Sequence, residues 1–200
     1  MNFTDFSDIL QKSPHAVVLL EGMRALPEMD REKLTTIARQ LAEKFPSAIF
    51  RTGNAAGTDE AFARGVAAVD SGRLQYILPY AGHRKKNLCK GSRSISLTEI
   101  PEAEDGALIS SLQSSPDYRS LMEKRKVVPR LGAMANYILR DTVKVIGAPG
   151  QGFAPAAMGL FYANPDDPMV GGTGHTLRVC RKHNVPVALQ SDWLGWLEKM

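Results

Sequence analysis

The sequence predicts an α/β fold in which a mainly parallel sheet carries helices on both faces. Short continuous apolar runs, typical of strands buried on both sides, alternate along the chain with longer segments of helical periodicity. Glycine-rich turns follow several of these runs, as expected where parallel strands pass into helices. With 200 residues, of which 44% are hydrophobic, the chain can bury the core of one such domain.

The first half of the chain predicts a β-α-β-α-β unit. Apolar runs at 16–20, 48–50 and 74–78 predict three strands, each followed within a few residues by a glycine or proline. Between the first two strands, the apolar stripe of a helix that begins near Pro27 comprises Leu34, Ile37, Ala38, Leu41 and Phe45. A second helical stripe, which ends at Ser71-Gly72, comprises Ala61, Phe62, Gly65, Val66 and Val69.

The second half continues the alternation less regularly. A helical stripe at 131–138 is followed by the run Thr142–Ile146, for which we predict a strand that ends in a glycine turn. Residues 157–162 fit a helix or a strand, because Ala, Met, Leu and Phe occur in both. A short helix that carries Cys180 and a last strand at 185–189 complete the pattern.

The stretch at about 91–128 interrupts this alternation. It is rich in Ser, Glu and Asp, and we predict two short helices in it, the second opened by Ser115-Pro116-Asp117. We interpret the stretch as an insertion over the sheet, within a single domain that spans residues 1–200. Taken together, the elements predict a Rossmann-like, doubly wound sheet with a helical insertion.

Composition limits the class of partner. The 25 basic and 21 acidic residues give a formal charge of +4, which favours anionic ligands but is too small to identify nucleic acid. Cys89 and Cys180 lie far apart without metal-ligand spacing, so we predict reduced thiols, no disulfide and no metal site. Residues 1–11 lack the basic region of a signal peptide, and no apolar run approaches the roughly 20 residues of a membrane-spanning helix. We therefore expect a cytoplasmic protein that has no contact with membranes.

The candidate site residues follow predicted strands or begin a predicted helix. In an open parallel sheet, ligands bind beyond the carboxyl ends of the strands, where glycine lets the backbone approach a phosphate and helix N-termini offer free N–H groups. The predicted ligand-binding and phosphate-binding residues are Gly22 and Arg24 after the first strand, Gly53, Asn54, Gly57, Thr58 and Asp59 after the second, Arg84 and Asn87 after the third, and Gly171, Gly172, Thr173, Gly174, His175 and Thr176 before the last helix.

Some of these residues also have a structural interpretation. Gly53 and Gly57 fit an ordinary strand-to-helix turn that a neighbouring Thr or Asp caps. Arg84 suits a phosphate through its planar fork but also fits a solvated basic loop. The run Gly171–Gly174 favours an anion cradle, because three glycines in four positions carry an entropic cost that ordinary turns seldom need. His175 then either contacts the phosphate or is a solvated or capping residue.

These turns resemble those of the SLOG superfamily, a Rossmann-like group that includes DprA-type DNA-processing proteins and the lysine-decarboxylase-like cytokinin phosphoribohydrolases. Residues 21–24, Glu-Gly-Met-Arg, are similar to the group's Gly-x-Arg turn, and residues 52–59 to its glycine turn that ends in Gly-x-Asp. Residues 81–87 resemble the Ala-Gly-x-x-Arg-Asn loop of small members, with two lysines intervening, and 171–174 correspond to the distal glycine motif. The resemblance covers most of the chain apart from the insertion and implies a pocket for a nucleotide or a nucleotide-derived ligand.

Three functional hypotheses follow, and the sequence leaves open whether the chain is an enzyme. The first is a sensor or carrier that binds a nucleotide-type ligand, self-associates and has no certain cofactor. The alternative is a nucleoside-monophosphate phosphoribohydrolase or related nucleotide hydrolase. Where those enzymes carry their glutamate, this chain has Arg178, so Glu21 or Asp59 would have to supply the acid. The third is single-stranded DNA binding, for which an aromatic content of 7% offers few stacking platforms.

Overall fold

A computed structural model describes residues 1–197 and shows a six-stranded sheet in which every strand pair is parallel. The strands are β1 Val17–Gly22, β2 Ile49–Thr52, β3 Leu74–Leu78, β4 Arg93–Ser96, β5 Ala156–Tyr162 and β6 Val187–Leu189. Their order across the sheet is β4-β3-β2-β1-β5-β6. The predicted α/β class with a parallel, Rossmann-like sheet is confirmed.

Helices join most of the strands. The α-helices are α1 Phe3–Lys12, α2 Glu28–Lys44, α3 Thr58–Asp70, α4 Glu104–Ser114, α5 Arg119–Lys124, α6 Pro129–Ile146, α7 Gly171–Lys182 and α8 Gln190–Trp193. Short 3-10 turns include Lys85–Asn87 after β3 and Pro116–Tyr118 before α5. Among the helices that the structure describes, none combines the length and the hydropathy needed to cross a membrane.

The helices pack on both faces of the sheet because successive residues of a strand point to opposite sides. Val18 and Leu20 of β1 join a core formed with α1, α2 and α3. Leu19 of the same strand joins a core on the other face, formed with α6 and α7. Glu21 follows Leu19 by two residues and therefore points to the α6–α7 face.

The strand order reverses next to β1. The chain leaves β1 through α2 and α3 to build β2 and β3 on one side, and returns through α4, α5 and α6 to build β5 on the other. β1 and β5 pair from Val17–Ala156 to Gly22–Tyr162. A crevice opens at such a reversal, beyond the carboxyl ends of the two strands, and is the usual ligand site of open α/β sheets.

The predicted strand at Thr142–Ile146 is wrong, because these residues are the last turns of α6. Its β-branched residues favour a strand by propensity, but residues 138–145 are buried on every side of the helix. In the sequence, the run Thr142–Ile146 therefore resembles a strand that is buried on both faces. The ambiguous segment at 157–162 is a strand, within β5 at the centre of the sheet.

The stretch 91–128 contains more than predicted. It holds α4 and α5, and also β4, which pairs with β3 from Gln75–Arg93 to Leu78–Ser96 and forms one edge of the sheet. β4 was not predicted, because Ile95 is its one apolar residue and its first two residues are exposed. The rest of the stretch packs on α6 and α7.

Candidate ligand-binding site

A cavity of about 640 Å³ opens beyond the carboxyl ends of β1 and β5, at the reversal of strand order. Its volume lies in the range of small-molecule sites, roughly 300 to 1,000 Å³. The wall segments come from the turn after β1, the start of α7, the segment that leads into α5, and one side of α6. We call this space the switch-point cavity.

The first turn of α7 forms one wall of the switch-point cavity. Gly171, Gly172 and Thr173 line it, and α7 is twelve residues long. The first N–H groups of a helix have no partner within the helix, and at α7 no side chain caps them. Gly171 has a φ of +61°, a backbone conformation that glycine adopts without strain. The turn thus presents N–H donors and the positive end of a helix dipole to the cavity.

Arg24 lines the same cavity as this turn. Its side chain is exposed, and within residues 1–197 it has no carboxylate partner. The guanidinium carbon lies 5.4 Å from the ring centroid of Tyr137, within cation–π range. Gly57 packs against the Arg24 carbonyl so closely that a Cβ there would lie 2.2 Å from the oxygen. Glycine at 57, with a φ of +79°, is therefore needed to hold the Arg24 turn.

Apolar side chains form another part of the cavity lining. Met134 and Ile138 of α6 line it together with Met23, and Tyr118 and Leu121 come from the stretch between β4 and α6. Met134 is half-exposed. The predicted insertion therefore completes the wall of the cavity and offers an apolar surface to a flat or hydrophobic group.

The floor is a buried charge cluster, which consists of Glu21, Asp59, Arg140, Asp141 and Lys144. Lys144 Nζ lies 2.5 Å from Glu21 Oε2 and 2.8 Å from Asp141 Oδ1. Arg140 Nε lies 2.9 Å from Asp141 Oδ1, although its orientation does not make a hydrogen bond. Paired charges of this kind are needed because an isolated ion would be costly to bury.

Burial acts on the pKa of Glu21 and on that of Asp141, but the outcomes differ. For Asp141, burial alone would raise the pKa, yet the cations Arg140 and Lys144 outweigh it and hold the pKa below its usual range. For Glu21, burial dominates over Lys144 and raises the pKa to about 8. Glu21 also has a buried oxygen, Oε1, for which the described part of the chain provides no hydrogen-bond partner. Burial thus shifts the balance at Glu21 towards the protonated form, whereas the two cations keep Asp141 ionised.

Six of the predicted site residues line the switch-point cavity, namely Gly22, Arg24, Asp59, Gly171, Gly172 and Thr173. Asp59 also holds the turn before α3, because its Oδ2 accepts the N–H groups of Gly53 and Ala55 at 3.1 and 3.0 Å. A Cβ at Gly22 would lie 2.3 Å from the Tyr162 carbonyl oxygen, so this glycine is required by the packing of β1 on β5.

The turn after β2 otherwise has a structural role. The Gly53 carbonyl accepts a hydrogen bond from Arg140 Nη1 at 2.5 Å, and Thr58 Oγ1 donates to the Met23 carbonyl at 2.8 Å. Asn54, at a φ of +58°, donates through Nδ2 to two carbonyls of the loop after β3. Gly53, Asn54 and Thr58 position the cavity without lining it.

Arg84 and Asn87 lie outside the switch-point cavity. Arg84 forms an ion pair with Glu60 of α3 and donates to the Asn54 carbonyl at 3.0 Å. Asn87 Nδ2 donates to the same Glu60 oxygen at 3.0 Å. The charge of Arg84 is therefore already paired within the protein, and its predicted contact with a phosphate stays a prediction that would require it to leave Glu60.

The second turn of α7 points away from the cavity. His175 is 0% exposed and bonds Ser115 Oγ through Nδ1 and Thr142 Oγ1 through Nε2, both at 2.9 Å. A Cβ at Gly174 would lie 1.9 Å from the Met169 carbonyl oxygen, so this glycine serves packing. Thr176 is buried as well and donates to a backbone carbonyl of its own helix. Of the predicted residues Gly171 to Thr176, only the first three line the switch-point cavity.

Sequence reasoning missed the part of the site that α6 contributes. Tyr137, Arg140, Asp141 and Lys144 line the cavity, but the prediction ended the helix near 138 and assigned a strand to the residues after it. The available signal was the spacing of Arg140 and Lys144, one helical turn apart within an apolar run. Charged residues inside a buried element are uncommon and point to paired or functional groups.

Comparisons with known proteins do not identify a family for this chain. No protein-family model matches the chain, and no curated relative matches it. One solved structure with a similar chain path is DNA processing protein A from Helicobacter pylori, described for its mode of binding single-stranded DNA. The two chains are 14% identical, with a TM-score of 0.49, and the match covers 96% of this chain and 75% of the other. The assignment of the fold therefore rests on the strand order and pairing of the sheet.

Proposed function

We propose that the switch-point cavity binds a small nucleotide-type molecule through its phosphate group. The observation that carries this proposal is the uncapped first turn of α7, whose residues 171–173 line the cavity. A phosphate is the group that such a turn suits, because it accepts several N–H donors and is stabilised by the helix dipole. Arg24, an exposed cation that lines the same cavity, adds a partner with the matching charge.

Asp141 limits where the phosphate can bind. A Cβ at Gly172 would lie 2.9 Å from Asp141 Oδ2, so the carboxylate lies directly beneath the turn. Its repulsion is reduced by the ion pairs with Arg140 and Lys144. The proposed phosphate position is therefore the outer side of the turn, towards Arg24, which leaves the apolar wall for the base of a nucleotide.

A substitution that adds a negative charge to the turn tests this proposal. Thr173→Asp puts a carboxylate in the first turn of α7, where the helix dipole favours it by about 0.3 to 1 kcal/mol. We expect the variant to unfold at the same urea concentration as the wild type or higher, and to lose the binding of AMP measured by calorimetry. Thr173→Asn has nearly the same shape without the charge, and we expect it to keep most of the affinity.

A comparison of three ligands separates the contribution of the phosphate to binding from that of the base. AMP and ribose 5-phosphate should raise the melting temperature, whereas adenosine should not, because only the phosphate reaches the α7 turn. A ligand at 100 times its dissociation constant stabilises a fold by roughly 2.7 kcal/mol. Equal binding of AMP by the Asp and Asn variants would reject the α7 site. Binding of a single-stranded oligonucleotide in place of AMP, with steep salt dependence, would favour the DNA-binding hypothesis instead.

Hydrolysis of the ligand's glycosidic bond is the second candidate, and Glu21 is the observation that favours it. Its pKa, raised to about 8 by burial, leaves the carboxyl protonated at neutral pH, as a general acid requires. Arg178, which stands where phosphoribohydrolases carry their glutamate, instead bonds Ser115 Oγ and the Met169 carbonyl. If the protein is a hydrolase, incubation with AMP releases adenine and ribose 5-phosphate, and Glu21→Gln does not. Unchanged AMP after incubation with the wild type would reject this candidate.

A further inference from the structure

Gly53, in the turn after β2, is held by a charged side chain on each of its polar groups. Asp59 Oδ2 accepts a hydrogen bond from the Gly53 N–H group at 3.1 Å, and Arg140 Nη1 donates one to the Gly53 carbonyl at 2.5 Å. Asp59 is 2% exposed and Arg140 is 4% exposed, and both side chains line the switch-point cavity. One residue of the turn therefore brings a carboxylate and a guanidinium together on the cavity floor.

These two charges do not pair with each other. Among the ion pairs of residues 1–197, none joins Asp59 to Arg140, and Arg140 pairs with Asp141 instead. The Asp59 carboxylate is bonded through Oδ2, which accepts the N–H groups of Gly53 and Ala55. A carboxylate and a guanidinium that are held close together but unpaired leave room between them for a polar group of a ligand.

Each of the two side chains keeps one polar atom for which the described residues provide no hydrogen-bond partner. At Asp59 this atom is Oδ1, because both backbone hydrogen bonds go to Oδ2. At Arg140 it is Nη2, because Nη1 bonds the Gly53 carbonyl. Neither atom is closed off from solvent, unlike Arg140 Nε and Glu21 Oε1. The floor thus presents an acceptor and a donor group to the cavity, on side chains that are more than nine-tenths buried.

We propose that Asp59 Oδ1 and Arg140 Nη2 bind a hydroxyl group of the ligand's sugar. The inference rests on the proposed function and identifies the part of the nucleotide that the floor recognises. A hydroxyl fits both atoms, because it donates its proton to the carboxylate and accepts from the guanidinium through its oxygen. A phosphate would be repelled by Asp59, an ammonium group would be repelled by Arg140, and an apolar group would leave both atoms without a partner.

The position of the pair suits a sugar next to the proposed phosphate. Thr58 precedes Asp59 and donates to the Met23 carbonyl at 2.8 Å. Met23 in turn precedes Arg24, so Asp59 lies beside the turn that carries the cation proposed for the phosphate. In a nucleotide the sugar joins the phosphate to the base. A sugar at this pair therefore leaves the base to the apolar part of the cavity lining.

Calorimetric titration of the wild type with AMP and with 2′,3′-dideoxy-AMP tests the inference. The two nucleotides have the same phosphate and the same base, and they differ only in the two hydroxyl groups of the sugar. Because a hydrogen bond to a charged group changes an affinity by about tenfold or more, we expect the wild type to bind the dideoxy nucleotide at least about tenfold more weakly than AMP. Equal binding of the two nucleotides would overturn the inference and leave the proposed phosphate site intact.

A substitution at Asp59 tests the assignment to this pair. Asp59→Asn keeps a side-chain oxygen for the N–H groups of Gly53 and Ala55, and it puts an NH2 group, which is a donor, in place of Oδ1. The preference for AMP over the dideoxy nucleotide should fall from at least about tenfold to about threefold or less. The lost negative charge acts on the phosphate of both nucleotides alike, so the preference reports on the hydroxyl contact alone.

Glu60→Gln is the matched control, because it removes the same charge from the neighbouring residue, outside the switch-point cavity. This variant should keep the preference of the wild type. If Asp59→Asn also keeps that preference, Asp59 has only its structural role in the turn and the inference is wrong. If neither nucleotide binds the wild type, the proposed function fails and the sugar contact fails with it.

Discussion

His175 links three helices, and replacing it by Phe should give a pH-dependent loss of stability. Its ring bonds Ser115, at the end of α4, and Thr142, on α6, while His175 itself belongs to α7. Phe keeps the ring and removes both hydrogen bonds. Each buried bond contributes about 1 kcal/mol, and the two partners retain bonds to Arg178 and Ser111, so we expect a loss of about 2 kcal/mol at pH 7.

The same substitution removes a titrating group whose pKa burial lowers from 6.5 to about 4. The unfolded chain therefore binds the proton first, and acid from pH 6.5 down to pH 4 favours unfolding. Between pH 7 and pH 5 this proton uptake acts over about 1.5 pH units, from pH 6.5 to pH 5, and lowers the unfolding free energy of the wild type by about 2 kcal/mol. The His175→Phe variant has no such group and does not show this decrease. The difference in unfolding free energy between the two proteins should thus close from about 2 kcal/mol to near zero.

Urea unfolding followed by tryptophan fluorescence, at pH 7 and at pH 5, measures this difference. Val179→Ala provides the control, since it changes a buried residue of the same helix that does not titrate. Its difference from the wild type should be the same at both pH values. If the difference for His175→Phe is also constant, His175 is not a buried neutral group, and the account of the polar contacts between α4, α6 and α7 is wrong.

Three further substitutions test the structural roles of residues outside the ligand contacts. Arg84→Ala should lower the unfolding free energy by up to about 1 kcal/mol, the usual value of a half-exposed ion pair, and leave the calorimetric affinity for AMP unchanged. Gly174→Ala should cost at least about 2 kcal/mol in urea unfolding, because its Cβ would meet the Met169 carbonyl at 1.9 Å and one of the two segments must move. Gly65→Ala should also be destabilising, although alanine has the better helix propensity, because its Cβ would lie 2.2 Å from the Thr35 carbonyl oxygen where α2 and α3 pack. A melting temperature equal to or above that of the wild type would contradict this close approach.

The sequence was most informative where periodicity and turns agree. The strand predicted at 74–78 is β3, and the stripe from Leu34 to Phe45 is the buried side of α2, whose C-cap is Phe45. Such elements are local in origin, since strand and helix periods can be counted in a single segment. The location of the cavity also follows from sequence, because glycine turns after strands of a parallel sheet all lie at its carboxyl edge.

Which residues face the cavity could not be predicted, because this depends on contacts between distant segments. Gly171 and Gly174 belong to one motif, yet the first lines the cavity and the second packs on the Met169 carbonyl. Arg84 and Arg140 are both arginines near the carboxyl edge, but an ion pair holds the first outside the cavity. The prediction of a strand at Thr142–Ile146 was wrong for a related reason, since burial on every side of the helix hides the helical period of the sequence.

The position of β5 beside β1 has a consequence for folding kinetics. Gly22 and Tyr162 pair across these two strands, although 140 residues separate them along the chain (162 − 22). Contacts of such high sequence separation must overcome a large loss of chain entropy before they stabilise the fold, and they tend to form late. The switch-point cavity has walls from both sides of this pair, so it is complete only when β5 has docked. A ligand of the cavity is therefore expected to slow unfolding and to leave the refolding rate nearly unchanged.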